Sequence, residues 1–310
     1  MIKHVFGFLS FLSIAICVTS CTAGKLNGVF PARADGRIEP TTYPLKNAPK
    51  TMEERIAQIE KAASDGFELI AKLPPPTTFA VRVEDGAMRI DGKLTEVEWG
   101  NARIASGFRL TFDLKPESLP TEAKLLWDSK YLYIAFAGKD VDLVGTIAER
   151  DGDYWREDAF EVFVDANADG MSYLEFEVNP LGLLYDASLA DYRPEVNWAR
   201  NQGHLDIGKS RMTYDTADTK VAVELDGTLN ESGDVDKGWT CELAVSWEDI
   251  AAGTNVVRVP PRDGDVWSIG FYRVNVSKDQ ETNPSEYAAW NPTTSWYHVP
   301  WLFGRAVFVE

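Results

Sequence analysis

Three glutamates in two neighbouring segments are the side chains best placed to do chemistry in this sequence. Glu161 lies in the segment 159–165, and Glu175 and Glu177 lie in the segment 173–179. Both segments alternate apolar and polar residues, which is typical of β-strands with one buried face. The Asn, Asp and Gly residues between them indicate a tight turn. The pattern therefore predicts a hairpin in which the three carboxylates crowd one face of a sheet.

Crowded carboxylates are compatible with several kinds of site. Like charges at close range are unfavourable unless a cation, a hydrogen-bonding ligand or a proton relieves them. Two carboxyl groups at a suitable separation are also the minimum that a glycosidase needs. A sheet face exposed to water is the simpler interpretation, because antiparallel sheets often have one solvated face. The residues alone leave these alternatives open.

The turn between the two segments carries a second set of oxygen atoms. Asp165, Asn167, Asp169 and Gly170 follow the first half of a calcium loop of the EF-hand type. Phe176 occupies the twelfth position, where such a loop has a bidentate glutamate. A hairpin turn built from Asn, Asp and Gly is the simpler interpretation, and structural calcium stays open as an alternative. The sequence indicates no other cofactor.

Composition narrows the kinds of ligand. The chain has a net charge of −17 at pH 7. An acidic chain repels phosphate groups, so nucleic acid and anionic lipid headgroups are disfavoured as partners. The chain also has ten tryptophans, and this residue type often contacts sugars and other ligands through an exposed ring.

The N-terminus predicts export and lipidation. An apolar run over 5–18 is too short to span a bilayer as a helix and is typical of a secretory signal. Residues 18–21 (Val-Thr-Ser-Cys) resemble a bacterial lipobox, which predicts acylation of Cys21. Thr22 rather than Asp follows the cysteine, so we expect an outer-membrane lipoprotein that faces the periplasm or the cell surface. The lipid would be its only contact with the membrane. The sequence indicates no particular protein partner.

The rest of the chain divides into regions of different composition. Residues 1–20 form the predicted signal peptide, and 21–50 form a tether rich in Pro, Gly, Ala, Thr and Lys. Residues 51–76 combine one amphipathic helix, over 51–72, with a proline linker. The folded domain is predicted to span 77–310. Cys241 is its only cysteine, so a disulfide framework within it is excluded.

Period-two alternation in the folded domain predicts many short strands. Turn signals separate these strands, and no helices alternate with them. This pattern predicts an all-β domain, an antiparallel β-sandwich of jelly-roll type. The predicted strands cover 80–84, 88–91, 108–112, 123–127, 131–139, 159–164, 173–179, 183–187, 220–225, 239–246, 267–276 and 305–309.

Four segments, in this order, resemble family 9 carbohydrate-binding modules of the DOMON-like superfamily. The first is Ile-Asp-Gly-Lys-Leu at 90–94, with Glu98-Trp99 after it. The others are 123–134, 157–165 and 291–304. The resemblance covers roughly residues 80 to 310, and it implies a β-sandwich that binds sugar.

The resemblance also implies a site. In modules of known function two tryptophans clamp a terminal sugar, and the matching positions here are Trp155 and Trp296. Glu161 falls on the position of a hydrogen-bond acceptor, and Arg273 falls near a position occupied by an amide. Glu177 departs from the family, because it stands where the family has an arginine. Arg273 could equally be a counter-ion for the two glutamates.

Four functions remain open at this point. The favoured one is a non-catalytic, glycan-binding lipoprotein that contributes to polysaccharide capture or catabolism. A glycoside hydrolase would use Glu161, Glu175 and Glu177. Haem binding would need axial ligands, for which the mature chain offers only His204 and His298 and no CxxCH motif. A structural sandwich without a small ligand is the fourth.

Overall fold

The computed structural model describes residues 74–111, 114–170, 172–189, 214–256, 258–278, 284–293 and 297–310. The predicted signal peptide, tether and helix lie outside the described residues, and they stay predictions. In the described part of the chain, none of the helices has the length and apolar character needed to cross a membrane.

Twelve strands are present in the described ranges, with one short α-helix, α1 (Trp247–Gly253). The strands are β1 (Thr77–Arg82), β2 (Arg109–Leu110), β3 (Thr121–Trp127), β4 (Tyr131–Gly138), β5 (Ala159–Asp165), β6 (Tyr173–Val178), β7 (Leu184–Leu189), β8 (Lys220–Asp226), β9 (Gly238–Ser246), β10 (Val266–Asn275), β11 (Glu286–Ala289) and β12 (Gly304–Val309).

The strands form one continuous sheet that folds over on itself. Its order is β7-β6-β5-β10-β12-β1-β3-β4-β9-β8, and β11 pairs with β10 and with β2. The pairs between described strands are antiparallel, except that β1 runs parallel to both β12 and β3. The all-β sandwich predicted from the sequence is confirmed.

The main core lies between the two halves of this sheet. The apolar residues of β5, β6 and β10 that alternate inward meet those of β3, β4 and β9. Phe160 of β5 stacks on Phe136 of β4 at 4.9 Å and on Trp239 of β9 at 4.0 Å between ring centroids. Because side chains alternate along a strand, the polar residues of β5 and β6 must point to the opposite, outer side of the sheet.

The structure differs from the sequence analysis at one predicted strand and at two elements that were not predicted. The predicted strand at 88–91 is irregular, because Glu242 on β9 accepts the backbone N–H groups of Asp91 and Gly92 at 3.0 and 2.8 Å. The sequence analysis missed β11 and α1. The first turn of α1 is capped by the hydroxyl of Ser246, which accepts a hydrogen bond from the backbone N–H of Asp249.

Candidate functional site

The hairpin of β5 and β6 brings the three glutamates together. In its register Glu161 lies directly opposite Glu177, and Phe163 lies opposite Glu175. The hairpin and the coincidence of its polar faces, both predicted from the sequence, are therefore confirmed.

The three carboxylates are buried rather than solvated. Glu161, Glu175 and Glu177 are only 2%, 1% and 1% exposed. One oxygen from each carboxylate lies within 4.8 Å of the corresponding oxygens of the other two. The interpretation of these residues as a water-exposed sheet face is therefore wrong. We call the side of β5, β6, β7, β10 and β11 that bears these residues the outer face.

Aromatic side chains surround the carboxylates on the outer face. The ring of Tyr272 on β10 stacks on Tyr297 at 4.3 Å and lies 4.8 Å from Phe163. Burial, and then the charges of Glu161 and Glu175, raise the pKa of Tyr272 well above its ordinary value. Burial and the charge of Glu161 likewise raise the pKa of Tyr297. Both phenols therefore stay protonated and able to donate hydrogen bonds at any physiological pH.

A histidine lies against the same carboxylates. The Nδ1 atom of His298 is 2.8 Å from the hydroxyl of Tyr173, and its Nε2 atom is 3.8 Å from Oε1 of Glu175. The imidazole also stacks on Phe163, with the ring centroids 5.0 Å apart. The sequence analysis considered this histidine only as a haem ligand, because it lies in an irregular segment with no periodic pattern.

Trp155 lies at the edge of the outer face. It belongs to a 3₁₀ turn over Tyr154–Arg156, whose first residue is fully buried and donates its hydroxyl to the carbonyl oxygen of Glu149. The indole is partly buried and meets Tyr185 of β7 edge to face at 6.1 Å. Since Tyr185 is the cross-strand partner of Glu177, Trp155 and the carboxylates share one face. Trp296 lies outside the described residues.

Arg273 lies on the opposite side of the sheet from the glutamates. It pairs with Phe160, whereas its neighbour Tyr272 pairs with Glu161. The guanidinium is 2% exposed and donates to Asp140 at 2.9 Å and to the backbone oxygens of Leu119 and Lys139. The expectation that Arg273 faces Glu161 and Glu177 is therefore wrong, because side chains of consecutive strand residues point to opposite faces.

The turn after β5 is closed by its own polar atoms. The carboxylate of Asp165 accepts the backbone N–H groups of Asp169 at 3.3 Å and Gly170 at 2.8 Å. The amide of Asn167 donates to Asp169 at 2.8 Å. This pattern favours the hairpin-turn interpretation over a calcium loop. Burial raises the pKa of Asp165 to about 6.

A further group of carboxylates was not singled out from the sequence. Asp151, Asp186 and Asp215 converge on the guanidinium of Arg150, with a shortest separation of 2.6 Å to Asp186. Arg150 supplies a positive charge to this group. We assign the group to the packing of β7 against the segment that follows residue 214.

The fold and the outer face define an all-β protein with a buried acidic centre and an aromatic border. Residues 90–310 match the family described as Carbohydrate family 9 binding domain-like. The chain belongs to this family.

Several known proteins are similar to the chain. An extracellular protein of Arthroderma benhamiae is 29% identical over 208 residues, which span 65% of this chain and 77% of that protein. Endo-1,4-beta-xylanase A of Thermotoga maritima is 22% identical over 226 residues, which span 73% of this chain but only 17% of the xylanase. The crystal structure of a candidate carbohydrate-binding protein from Bacteroides uniformis shares the fold. It has a TM-score of 0.58 and 15% identity, over 76% of this chain and 99% of that one.

Proposed function

We propose that the chain binds a glycan on its outer face and does not cleave it. One observation carries the proposal: three buried carboxylates lie on one face of the sheet, bordered by aromatic rings. A pyranose ring has apolar C–H faces that pack on aromatic rings. Its hydroxyl groups need fixed donors and acceptors around them. The outer face offers both, and membership of a family described by carbohydrate binding points the same way.

Each residue of the site has a separate role in this proposal. Trp155 and Trp296 stack on the sugar ring from two sides. Glu161 and Glu177 accept hydrogen bonds from sugar hydroxyls. Arg273 has no direct role, because it bonds to Asp140 on the core side of the sheet.

Removal of either tryptophan should weaken glycan binding. A stacked ring contributes about 1–2 kcal/mol by buried apolar area, so Trp155→Ala and Trp296→Ala should each lower affinity roughly five- to thirtyfold. Titration calorimetry with a panel of gluco- and xylo-oligosaccharides, preceded by a glycan array, measures this effect.

Trp301→Ala is the matched control. Trp301 is partly buried in the same C-terminal segment, but it packs with Val299 and Leu302 in a separate cluster. This variant should keep its glycan affinity. If Trp155→Ala and Trp296→Ala lower the melting temperature and leave the affinity unchanged, both residues are packing anchors and the proposed site is wrong.

The convergence of the carboxylates also favours one alternative, a glycoside hydrolase. Two carboxyl groups a few ångströms apart can divide the roles of acid and nucleophile. Incubation with chromogenic glycosides distinguishes the two functions. Release of chromophore that is lost in Glu161→Gln and Glu177→Gln would establish the hydrolase.

We further propose that the protein acts in polysaccharide capture or catabolism from an outer-membrane lipid anchor at Cys21. The support is the lipobox-like sequence 18–21 and the small residue that follows it. In this arrangement the protein contacts the membrane through lipid alone and faces the periplasm or the cell surface.

A further inference from the structure

His298 connects the C-terminal segment of the domain to the acidic centre of the outer face. It lies between Tyr297, which stacks on Tyr272, and the 3₁₀ turn Pro300–Leu302. Its side chain is 12% exposed. The contacts of its ring with Tyr173, Glu175 and Phe163 all reach residues of the β5–β6 hairpin. The imidazole therefore joins an irregular segment to a pair of hydrogen-bonded strands.

The titratable groups on the outer face around His298 are acidic or phenolic. Tyr173 and Glu175 contact its ring. The others lie on the same face of the sheet or in the segment of His298 itself: Glu161, Asp165, Glu177, Tyr185, Tyr272, Tyr287 and Tyr297. A positive charge on the imidazole would therefore be attracted by several carboxylates at once. Histidine is also the side chain whose ordinary titration falls near neutral pH.

The two protonation states of the ring make different contacts. In the neutral ring only one nitrogen carries a proton, so the Tyr173 hydroxyl donates to Nδ1 when Nε2 holds that proton. In the imidazolium both nitrogens donate, Nδ1 to the Tyr173 oxygen and Nε2 toward Glu175. The second state adds an ion pair at the Nε2 side, where the separation is 3.8 Å. Proton uptake should therefore hold the segment more tightly on the hairpin.

We propose that His298 is a positioning residue whose protonation holds the segment 297–303 on the β5–β6 hairpin and thereby strengthens glycan binding. The inference rests on the proposed function, because this segment borders the proposed site. Tyr297 stacks on Tyr272, the cross-strand partner of Glu161, and His298 lies beside Glu175. A charged His298 limits the movement of this segment relative to the carboxylates. A neutral His298 releases part of that restraint.

The first experiment needs no ligand. Amide hydrogen exchange of the full chain, corrected for the intrinsic rates, is compared at about pH 5.5 and about pH 8.5, on either side of the ordinary histidine range. Residues 297–303 should be more protected at the lower pH in the wild type. His298→Asn should remove this difference, whereas His204→Gln, which removes the other histidine of the predicted mature chain, should leave it in place. An equal change in wild type and His298→Asn would overturn the proposal.

The second experiment measures affinity at the same two pH values with the oligosaccharide that binds in the panel. The wild type should bind about fivefold more tightly at the lower pH, the small end of the usual coupling between two events. His298→Asn should bind weakly at both values, and His298→Arg, with a fixed positive charge, should bind tightly at both.

The two experiments separate failure of the inference from failure of the proposed function. A pH-dependent segment with a pH-independent affinity would disprove the link between His298 and the ligand. If no oligosaccharide binds at either pH, the proposed function fails. Hydrogen exchange then still decides whether His298 holds the segment.

Discussion

At the scale of single residues, the pairing of Glu161 with Glu177 needs a physical reason. Like charges directly opposite each other on neighbouring strands are destabilising, and both carboxylates here are almost fully buried. Residues that break the rules of stable packing tend to mark functional sites. The hairpin could be predicted from period-two alternation. The burial could not, because Tyr297 and His298, which lie near these carboxylates, come from an irregular segment more than a hundred residues later in the sequence.

The pH dependence of stability should reveal the state of Asp165. Its pKa is about 6 in the folded protein against 3.8 as the ordinary value. The folded state therefore holds more protons than the unfolded state between these values, and stability rises as the pH falls from about 6 to about 4. In Asp165→Asn this gain is absent. The melting temperature of the wild type should therefore rise relative to that of the variant on going from about pH 7.5 to about pH 5.

Calcium in this turn would reverse that trend. A bound cation favours the charged carboxylate, so the wild type would lose stability relative to Asp165→Asn as the pH falls. Repeating the melts with a chelator identifies such an ion, because only a metal-bound turn would respond to it.

Arg273 should matter for stability and not for the ligand. Its guanidinium is paired with Asp140, and both side chains are buried. Arg273→Met leaves the carboxylate without its cation, and loss of one partner of a buried pair costs about 3–5 kcal/mol. Arg273→Met with Asp140→Asn should recover part of that loss in urea unfolding. Glycan affinity of the folded protein should stay unchanged in the double variant, and a large loss of affinity there would show that Arg273 acts on the ligand.

At the scale of elements, the sequence predicted strands well where one face is buried. Nearly every predicted strand is present, and each predicted end lies within three residues of the observed one. The exceptions are informative. The segment 88–91 has strand-like residues but gives its backbone hydrogen-bond donors to the side chain of Glu242. The short strand β11 was missed because it is defined by its pairing with β10 and β2, which a local sequence pattern does not show. Such tertiary pairings override local propensity.

The Ile-Asp-Gly segment that carries part of the family resemblance has a structural role. Gly92 has a φ of +85°, and a Cβ atom there would lie 2.4 Å from the carbonyl carbon of Val223. Its N–H also donates to Glu242, whose other oxygen accepts the indole N–H of Trp99 at 2.8 Å. Through these contacts the segment packs the loop after β1 against β8 and hydrogen-bonds it to β9.

Gly92→Ala should therefore destabilise the domain strongly. The added methyl group collides with backbone, and the left-handed φ adds strain, so we expect a loss of more than about 2 kcal/mol. Gly86→Ala is the matched control, since its φ is +79° but no atom lies within 4 Å of the added Cβ. It should cost only about 1 kcal/mol from the backbone. Equal losses for the two variants in urea unfolding would contradict the close approach at Gly92.

At the scale of the whole molecule, the first strand of the domain and the carboxylates of the outer face lie in different parts of the sheet. Strand β1 pairs with β12 and β3, whereas the carboxylates lie on β5 and β6, beyond β10. The backbone N–H of Arg305 donates to the oxygen of Pro76 at 2.8 Å, which fixes the start of the domain beside its last strand. A linker with the length of the predicted tether, 21–50, would have an end-to-end distance of about 30 Å as a random coil. A lipid at Cys21 is thus compatible with an outer face turned away from the membrane.

The lipid anchor can be tested on the whole protein. Cys21 is the proposed acylation site, and several acyl chains on one residue hold a protein on a membrane stably, whereas a single chain gives only reversible binding. Cys21→Ser should therefore leave the protein soluble or unprocessed, while Cys241→Ser, at the buried cysteine of β9, should stay in the membrane fraction. Fractionation and mass spectrometry of the mature N-terminus measure both outcomes. If the wild type carries no acyl group and Cys21→Ser partitions with membranes as the wild type does, the protein is held there by something other than the proposed lipid.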